Sequence, residues 1–334
     1  VDVNDNPQSP SYPALSYLSK KILPGQGGSP FNVPVIWYGR PLGSAFPSPS
    51  SPKAISQYHF SNSLMFDLSE DLNFELSLTA SEHENKHTRP DTVESRFEQA
   101  LLGQGGPDGN EQWNIFLPLE NSPSLINYIK GSETSIKTGS LISLDGVFTG
   151  RKNGIDFAIG FQFNYEDLKI NYSEGSRATF DSDGKLLKGA DLLFLGGGKN
   201  VNTSRDKQAI FFETNTNFIE QLDLILSGRY EKLENESSFD PKFSFRYLAS
   251  DRLLLRGSIG TSFTTPSMAQ MFSSEIQLGS VRDINNSPFV RLALLGNSNL
   301  KPATSENMSL GFIWNISDAI DLTLDYWTIN YKNR

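Results

Sequence analysis

Two of the three histidines in this 334-residue chain lie four apart in one stretch, His83-Glu84-Asn85-Lys86-His87. The order His-Glu-x-x-His is the signature of zinc proteases, in which both imidazoles hold the metal and the glutamate is the base. That chemistry needs a helix, which projects positions i and i+4 from one face. Here the approach, Leu72 to Thr79, alternates with period two, and Thr88-Arg89-Pro90 would stop a helix almost at once. The extended zinc-protease pattern also needs Gly where Pro90 stands and His where Val93 stands. On an extended chain the two imidazoles share a face but lie about 13 Å apart at roughly 3.3 Å per residue, too far to share an ion. The stretch reads as the polar end of a strand entering a loop.

Other chemistry fails sooner. Gly196-Gly197-Gly198-Lys199-Asn200 lacks the Ser or Thr of a phosphate loop, and Leu193 holds the earlier Gly position. Asp181-Ser182-Asp183-Gly184 lacks the spaced ligands of a calcium loop and reads as a turn. The chain has no Cys, so disulfides, thiolate metal sites and Cys nucleophiles are excluded. His59, His83 and His87 lie in no nucleophile-elbow context. The residues offer no catalytic constellation, no metal site and no cofactor motif. A net charge of −9 argues against a nucleic-acid partner, because neutralising phosphates needs a basic surface.

The elements behind these residues are strands. Ile155, Phe157, Ile159, Phe161, Phe163 and Tyr165 alternate with Asp156, Ala158, Gly160, Gln162 and Asn164. Period two puts the large apolar residues on one face and the small or polar ones on the other. The pattern recurs at 72–80, 222–231, 242–247, 253–260 and 308–326, more weakly at 55–68, 140–150 and 206–218, and faintly near Val35 to Arg40. Short turns, such as Ser69-Glu70-Asp71, Ile219-Glu220-Gln221 and Arg151-Lys152-Asn153-Gly154, join some pairs. Asn-Gly is a strong hairpin signal. Most other connections are long, about 85–139, 173–204 and 265–303, and only the one near Asn235 to Ser238 is short.

Period alone fits two architectures. A soluble β-sandwich also has strands with one apolar face. Strand length and alternating short and long connections favour an antiparallel up-and-down barrel crossing a membrane, all-β, with tight turns on one side and large loops on the other. Backbone groups in lipid must pair internally, so the spanning sheet must close. Phe161, Phe163, Leu224 and Leu255 would face lipid. Gln162, Arg229, Lys242, Arg246 and Arg256 would face inward. Tyr230, Tyr247, Trp314, Tyr326 and Trp327 would suit interface girdles. Among loop aromatics, Trp113, Phe116, Tyr128 and Phe272 are candidates for contacting a ligand or for packing the loops on each other.

Four stretches resemble a known family. Phe239 to Phe272 (FDPKFSFRYLASDRLLLRGSIGTSFTTPSMAQMF) is similar to a barrel segment of TonB-dependent outer-membrane receptors. Asn297 to Arg334 (NSNLKPATSENMSLGFIWNISDAIDLTLDYWTINYKNR) resembles the strand pair that follows, and RFEQALLGQGGPDGN with NSPSLINYIKG resembles a large loop of one subgroup. Thr264 stands where that family usually has Arg, Ala303 stands where it usually has Glu, and the loop cysteines of the subgroup are absent. The resemblance implies part of a transmembrane β-barrel with long extracellular loops and short periplasmic turns. It implies a mid-barrel fragment, residues 1–334, without the plug domain or the C-terminal strands. The implied function is capture and active import of a scarce bulky ligand of the ferric-siderophore, cobalamin or glycan class. The implied partners are outer-membrane lipid and the TonB complex acting through the plug, and the implied location is the bacterial outer membrane. A soluble or surface carbohydrate-binding or hydrolytic domain and a passive porin are the alternatives.

Overall fold

The computed structural model describes residues 19–43, 45–47, 49–233, 236–280 and 289–333. The N-terminal stretch and part of the Asn235 to Ser238 connection lie outside them. In chain order the elements are β1 (Ser19–Ile22), β2 (Val35–Tyr38), β3 (Lys53–Ser69), β4 (Leu72–Thr92), α1 (Glu94–Leu101), α2 (Pro123–Ile129), β5 (Lys130–Lys152), β6 (Ile155–Tyr172), β7 (Thr179–Phe180), β8 (Leu186–Lys188), β9 (Val201–Ile219), β10 (Leu222–Leu233), β11 (Glu236–Ser250), β12 (Leu253–Thr264), α3 (Met268–Phe272), β13 (Glu275–Ser280), β14 (Phe289–Leu294), β15 (Ala303–Ser317) and β16 (Ile320–Lys332). Ten of the strands form one antiparallel sheet in the order β16-β15-β12-β11-β10-β9-β6-β5-β4-β3. Each strand therefore lies beside its neighbours in sequence, an up-and-down meander whose two edges, β3 and β16, do not meet among the described residues. β7-β8 and β13-β14 are separate hairpins in the connecting segments, and β1-β2 is a separate pair that precedes β3.

The alternation sets two faces, and register carries them across the sheet. One row runs Leu64, Leu76, Gly146, Phe161, Ile210, Tyr230, Phe239. Another runs Leu224, Phe245, Gly257, Leu310, Tyr326. Among the described residues no second sheet covers these rows: Ile210 is 62% exposed and Leu310 is 56% exposed. A sandwich would bury them, so the outward face has the character of a lipid-facing belt. Glycines in the belt are overlaid by the aromatic directly opposite. A Cβ on Gly146 would come within 2.3 Å of the Phe161 ring, and one on Gly257 within 2.6 Å of Phe245. These pairings lay apolar rings over backbone that would otherwise be bare.

The strands outrun the belt. In β6 the outward row is apolar from Ile155 to Tyr165, eleven residues, then becomes Asp167, Lys169, Asn171. Eleven residues tilted by about 45° span roughly 25 Å, the height of a barrel's apolar band. Beyond that point the inward row turns apolar: Leu168, then Ile170 at 2% and Tyr172 at 4% exposure. The inversion marks where the lipid-facing belt ends, and the strand continues into a region where loops pack on its inner side.

Two sequence expectations change here. The zinc-like motif does not lead into a loop: β4 runs through it to Thr92, paired with β5 back to Lys130. The first long connection is therefore 93–129. Above the belt both faces of β4 are polar, so alternation fades although the backbone ladder continues. Pro90 is tolerated because Thr88 donates toward β3, to the Pro52 carbonyl at 3.1 Å, and two residues on β3 has already ended, so the missing N–H faces no strand. Trp327 also departs from the girdle expectation. It is opposite Ser309 on the inward row, while Tyr326 is opposite Leu310 on the outward row. Consecutive residues of a strand cannot share a face. The hairpin at Asn153-Gly154 forms as expected, with φ of +52° and +79°.

Candidate functional site

In β4 the register puts His83 opposite Gln57 and Gly139 on the inward row, and Glu84 opposite Ser56 and Thr138 on the outward row. The would-be base therefore points away from both imidazoles. Among the described residues no group of three or more His, Cys, Asp or Glu is placed to hold a metal ion.

The five inward polar residues do share the inner face, and a ladder of polar contacts joins them to neighbours. Gln162 donates to Asp145 at 2.5 Å, and Arg229 donates to Gln162 at 2.8 Å and to Glu231 at 2.7 Å. Lys242 lines the same recess, about 460 Å³ in volume. Nearer the short turns one row reads Asp223, Arg246, Arg256, Gly311, Asp325. The two arginines are directly opposite each other, and each turns to a carboxylate on its other side. Arg246 donates to Asp223 at 3.2 Å, and Arg256 grips Asp325 with two bonds of 3.0 and 2.7 Å. The second pair spans β15, and only a glycine there leaves room: a Cβ on Gly311 would lie 2.1 Å from the Asp325 carboxylate.

The loop end carries a folded cap. Ile22, Phe97, Trp113, Leu125, Ile129 and Phe194 are all at most 1% exposed and pack in one cluster. The cluster unites β1, α1, the 102–117 segment, α2 and the 189–198 segment. α2 begins at Ser122, whose hydroxyl accepts from the Leu125 amide, with Pro123 in the first turn. Trp113 is the centre of this core, edge-on to Phe97 at 6.3 Å between ring centroids, so its ring is enclosed by protein. Phe116 lies at the surface against Phe31, 5.9 Å between centroids. Tyr128 donates its hydroxyl to Gln99 at 2.7 Å and lies beneath the Arg96 guanidinium. Phe272 is elsewhere, packed from the end of α3 against Ile170, Tyr172 and Val201. The structure thus brings three of the four loop aromatics into one cap and sets Phe272 apart.

Sequence reading passed over the groups that fasten the cap. The segment Leu192 to Gly197 is gripped by charged side chains from three places. Asp91, at the end of β4, accepts from the amides of Phe194 at 3.1 Å and Leu195 at 2.7 Å, besides that of Thr92 at 2.6 Å. Glu133 on β5 accepts from the Gly197 amide at 2.9 Å and pairs with Arg89. Arg291 on β14 donates to the carbonyls of Phe194, at 3.2 Å, and Leu192. Burial pushes the Asp91 carboxyl up to about 7 against the pull of its three amide donors and Arg291. Close by, Glu275 accepts from Tyr172 at 3.0 Å and Lys137 at 2.8 Å. Burial alone would raise Glu275, but Lys137, with hydrogen bonds from Tyr172 and Gln277, holds it below the ordinary carboxylate value. Burial, reinforced by Glu275, raises the Tyr172 phenol. Nothing local in the sequence marked Asp91 or Glu133, because their partners lie 103 and 64 residues away.

Comparison with known proteins accords with this geometry. The model for the TonB dependent receptor-like β-barrel matches residues 4–334. The siderophore receptor PirA of Acinetobacter baumannii superposes with a TM-score of 0.52 at 16% identity, over 87% of this chain and 36% of that one. The ferric enterobactin receptor PfeA of Pseudomonas aeruginosa gives 0.44 at 12% identity, over 85% and 43%. The copper transporter OprC gives 0.48 at 12% identity, over 82% and 38%. The chain spans less than half the length of each of these structures. No curated protein sequence matches it.

Proposed function

The chain belongs to the TonB-dependent receptor family, whose members are outer-membrane β-barrel receptors and transporters rather than enzymes, and from that premise we propose that it works as part of a receptor that captures a scarce, bulky ligand and imports it actively. The ligand is of the ferric-siderophore, cobalamin or glycan class. The observation that carries this reading is the division of labour along the strands. An apolar outward belt about as tall as a bilayer's hydrocarbon faces away from a polar, charge-paired inner wall, and the strands rise beyond the belt into a densely packed cap. A barrel that only let solutes diffuse would need an open mouth, whereas here the loop end is built up into structure that can bind. On this reading the cap and the long connections face the cell exterior, and the inner wall faces a plug through which the TonB complex acts. Binding and gating then need no covalent step.

Uptake in cells tests the proposal. A strain carrying the intact receptor is given radiolabelled ferric siderophores, cobalamin and oligosaccharides, with and without a protonophore. Uptake of one ligand class that requires the receptor and collapses with the protonophore is the expected result. Receptor-dependent uptake that survives the protonophore would establish passive diffusion, the porin alternative.

A further inference from the structure

The connection after β12 folds back against the inner wall. Arg205, on the inward face of β9, donates to the Pro266 carbonyl at 2.7 Å and to Glu166 at 2.6 Å, which ties the start of this connection to β9 and β6. α3 then begins with a reciprocal cap in which Ser267 and Gln270 satisfy each other's backbone amides. Between this connection and the upper ends of β9 to β11 lies a cavity of about 590 Å³. That volume falls within the roughly 300–1,000 Å³ of small-molecule sites.

Its lining has a definite chemistry. Phe272 and Met271 supply an apolar wall, and Glu236, Lys301, Asn299 and Thr265 supply a carboxylate, an ammonium, an amide and a hydroxyl. Among the described residues none of these four side chains is engaged with another protein group. One positive and one negative charge cancel. Arg205, the other cation of the lining, is matched by Asp206, the other carboxylate, and also pairs with Glu166, which it shares with Lys207, so the formal charges of the lining cancel. A polyanionic iron chelate would leave its charge unmatched here, and a purely apolar ligand would strand four polar groups. A ring with a C–H face and a rim of hydroxyls fits both parts of the lining, the face on Phe272 and the hydroxyls on the mixed donors and acceptors.

We infer that this cavity is a subsite for an uncharged saccharide unit of the ligand; the inference rests on the receptor reading above and narrows its ligand class. The test uses the intact receptor in detergent on an array of neutral oligosaccharides, followed by titration calorimetry with the best binder and with a ferric tris-catecholate. The expected result is a neutral oligosaccharide that binds, with affinity falling tenfold or more in Glu236→Gln and in Phe272→Ala. Glu236 pairs with Leu233 through its backbone, which Gln leaves intact, and its exposed side chain makes no hydrogen bond or ion pair among the described residues, so its variant separates lost recognition from a disturbed loop. Failure of every neutral oligosaccharide to bind, or binding unchanged in Glu236→Gln, overturns the inference. Protonophore-sensitive uptake of another ligand would then leave the receptor reading standing, whereas absence of any energised uptake would remove both.

Discussion

Asp91 offers the sharpest test of how the cap is held. Its carboxylate is 1% exposed and takes the amides of Phe194 and Leu195, so it anchors the strap that joins the cap core to the wall. Replacing it with Ala strands two buried donors of the strap. Each costs about 1–3 kcal/mol, which puts the loss of local stability at roughly 2–6 kcal/mol. A second effect has the opposite dependence on charge. Burial raises the folded carboxyl to about 7 from an ordinary 3.8. The folded state therefore holds a proton that the opened state releases between those two values. The stabilising contribution is complete below 3.8 and is lost as pH rises through about 7. A difference of that size is worth roughly 4 kcal/mol across the window. The assay is amide hydrogen exchange at Phe194 and Leu195 in the receptor in lipid nanodiscs from pH 4.5 to 8, corrected for intrinsic exchange. Wild type should lose opening free energy as pH rises, and Asp91→Asn, which cannot ionise, should lack that slope. Asp91→Ala should show its largest deficit at the acid end. Parallel slopes in wild type and Asp91→Asn would refute the reasoning, because the strap would then be indifferent to the carboxyl beneath it.

Phe161→Arg places a charge in the middle of the outward belt and should cost about 2–4 kcal/mol in denaturant titrations of the receptor in bilayers, while Gln162→Arg, one residue along and facing inward, should cost little. Equal losses would mean that the faces are wrongly assigned. Gly311→Val should break the Arg256–Asp325 pair by occupying the gap between them, lowering stability in the same titrations. Combined with Asp325→Ala, which removes the obstructed group, the added cost of the valine should shrink, a coupling readable in a double-mutant cycle. Refolded protein should carry no stoichiometric zinc by elemental analysis, and His83→Ala should leave metal content unchanged.

Much of this architecture is legible in local patterns. Side-chain direction in a strand depends only on position parity, so eleven residues from Ile155 suffice to tell the lipid side from the inner side. Asn153-Gly154 specifies its own turn, since both residues accept positive φ. The same locality sets the limit of such patterns. Local pattern ends β4 near the histidines because its outward row becomes Glu82, Glu84 and Lys86 above the belt, where water and loops replace lipid and alternation no longer signals a strand. Pairing with β5 keeps the chain extended there, and pairing is a property of two segments.

The residues of sites are harder still. Trp113 looked as available to a ligand as Phe272, yet one is the centre of the cap core and the other lines a cavity. Exposure of a loop aromatic is settled by whichever distant segments fold over it. Local sequence is enough for the two-faced strands and the tight turns, because each follows from backbone stereochemistry within a few residues. Long-range folding is what brings Asp91 to Phe194, opens a path at Gly311 between Arg256 and Asp325, and forms a cavity behind α3. Those outcomes depend on register and long-range packing, which many distant contacts fix together and no short stretch encodes.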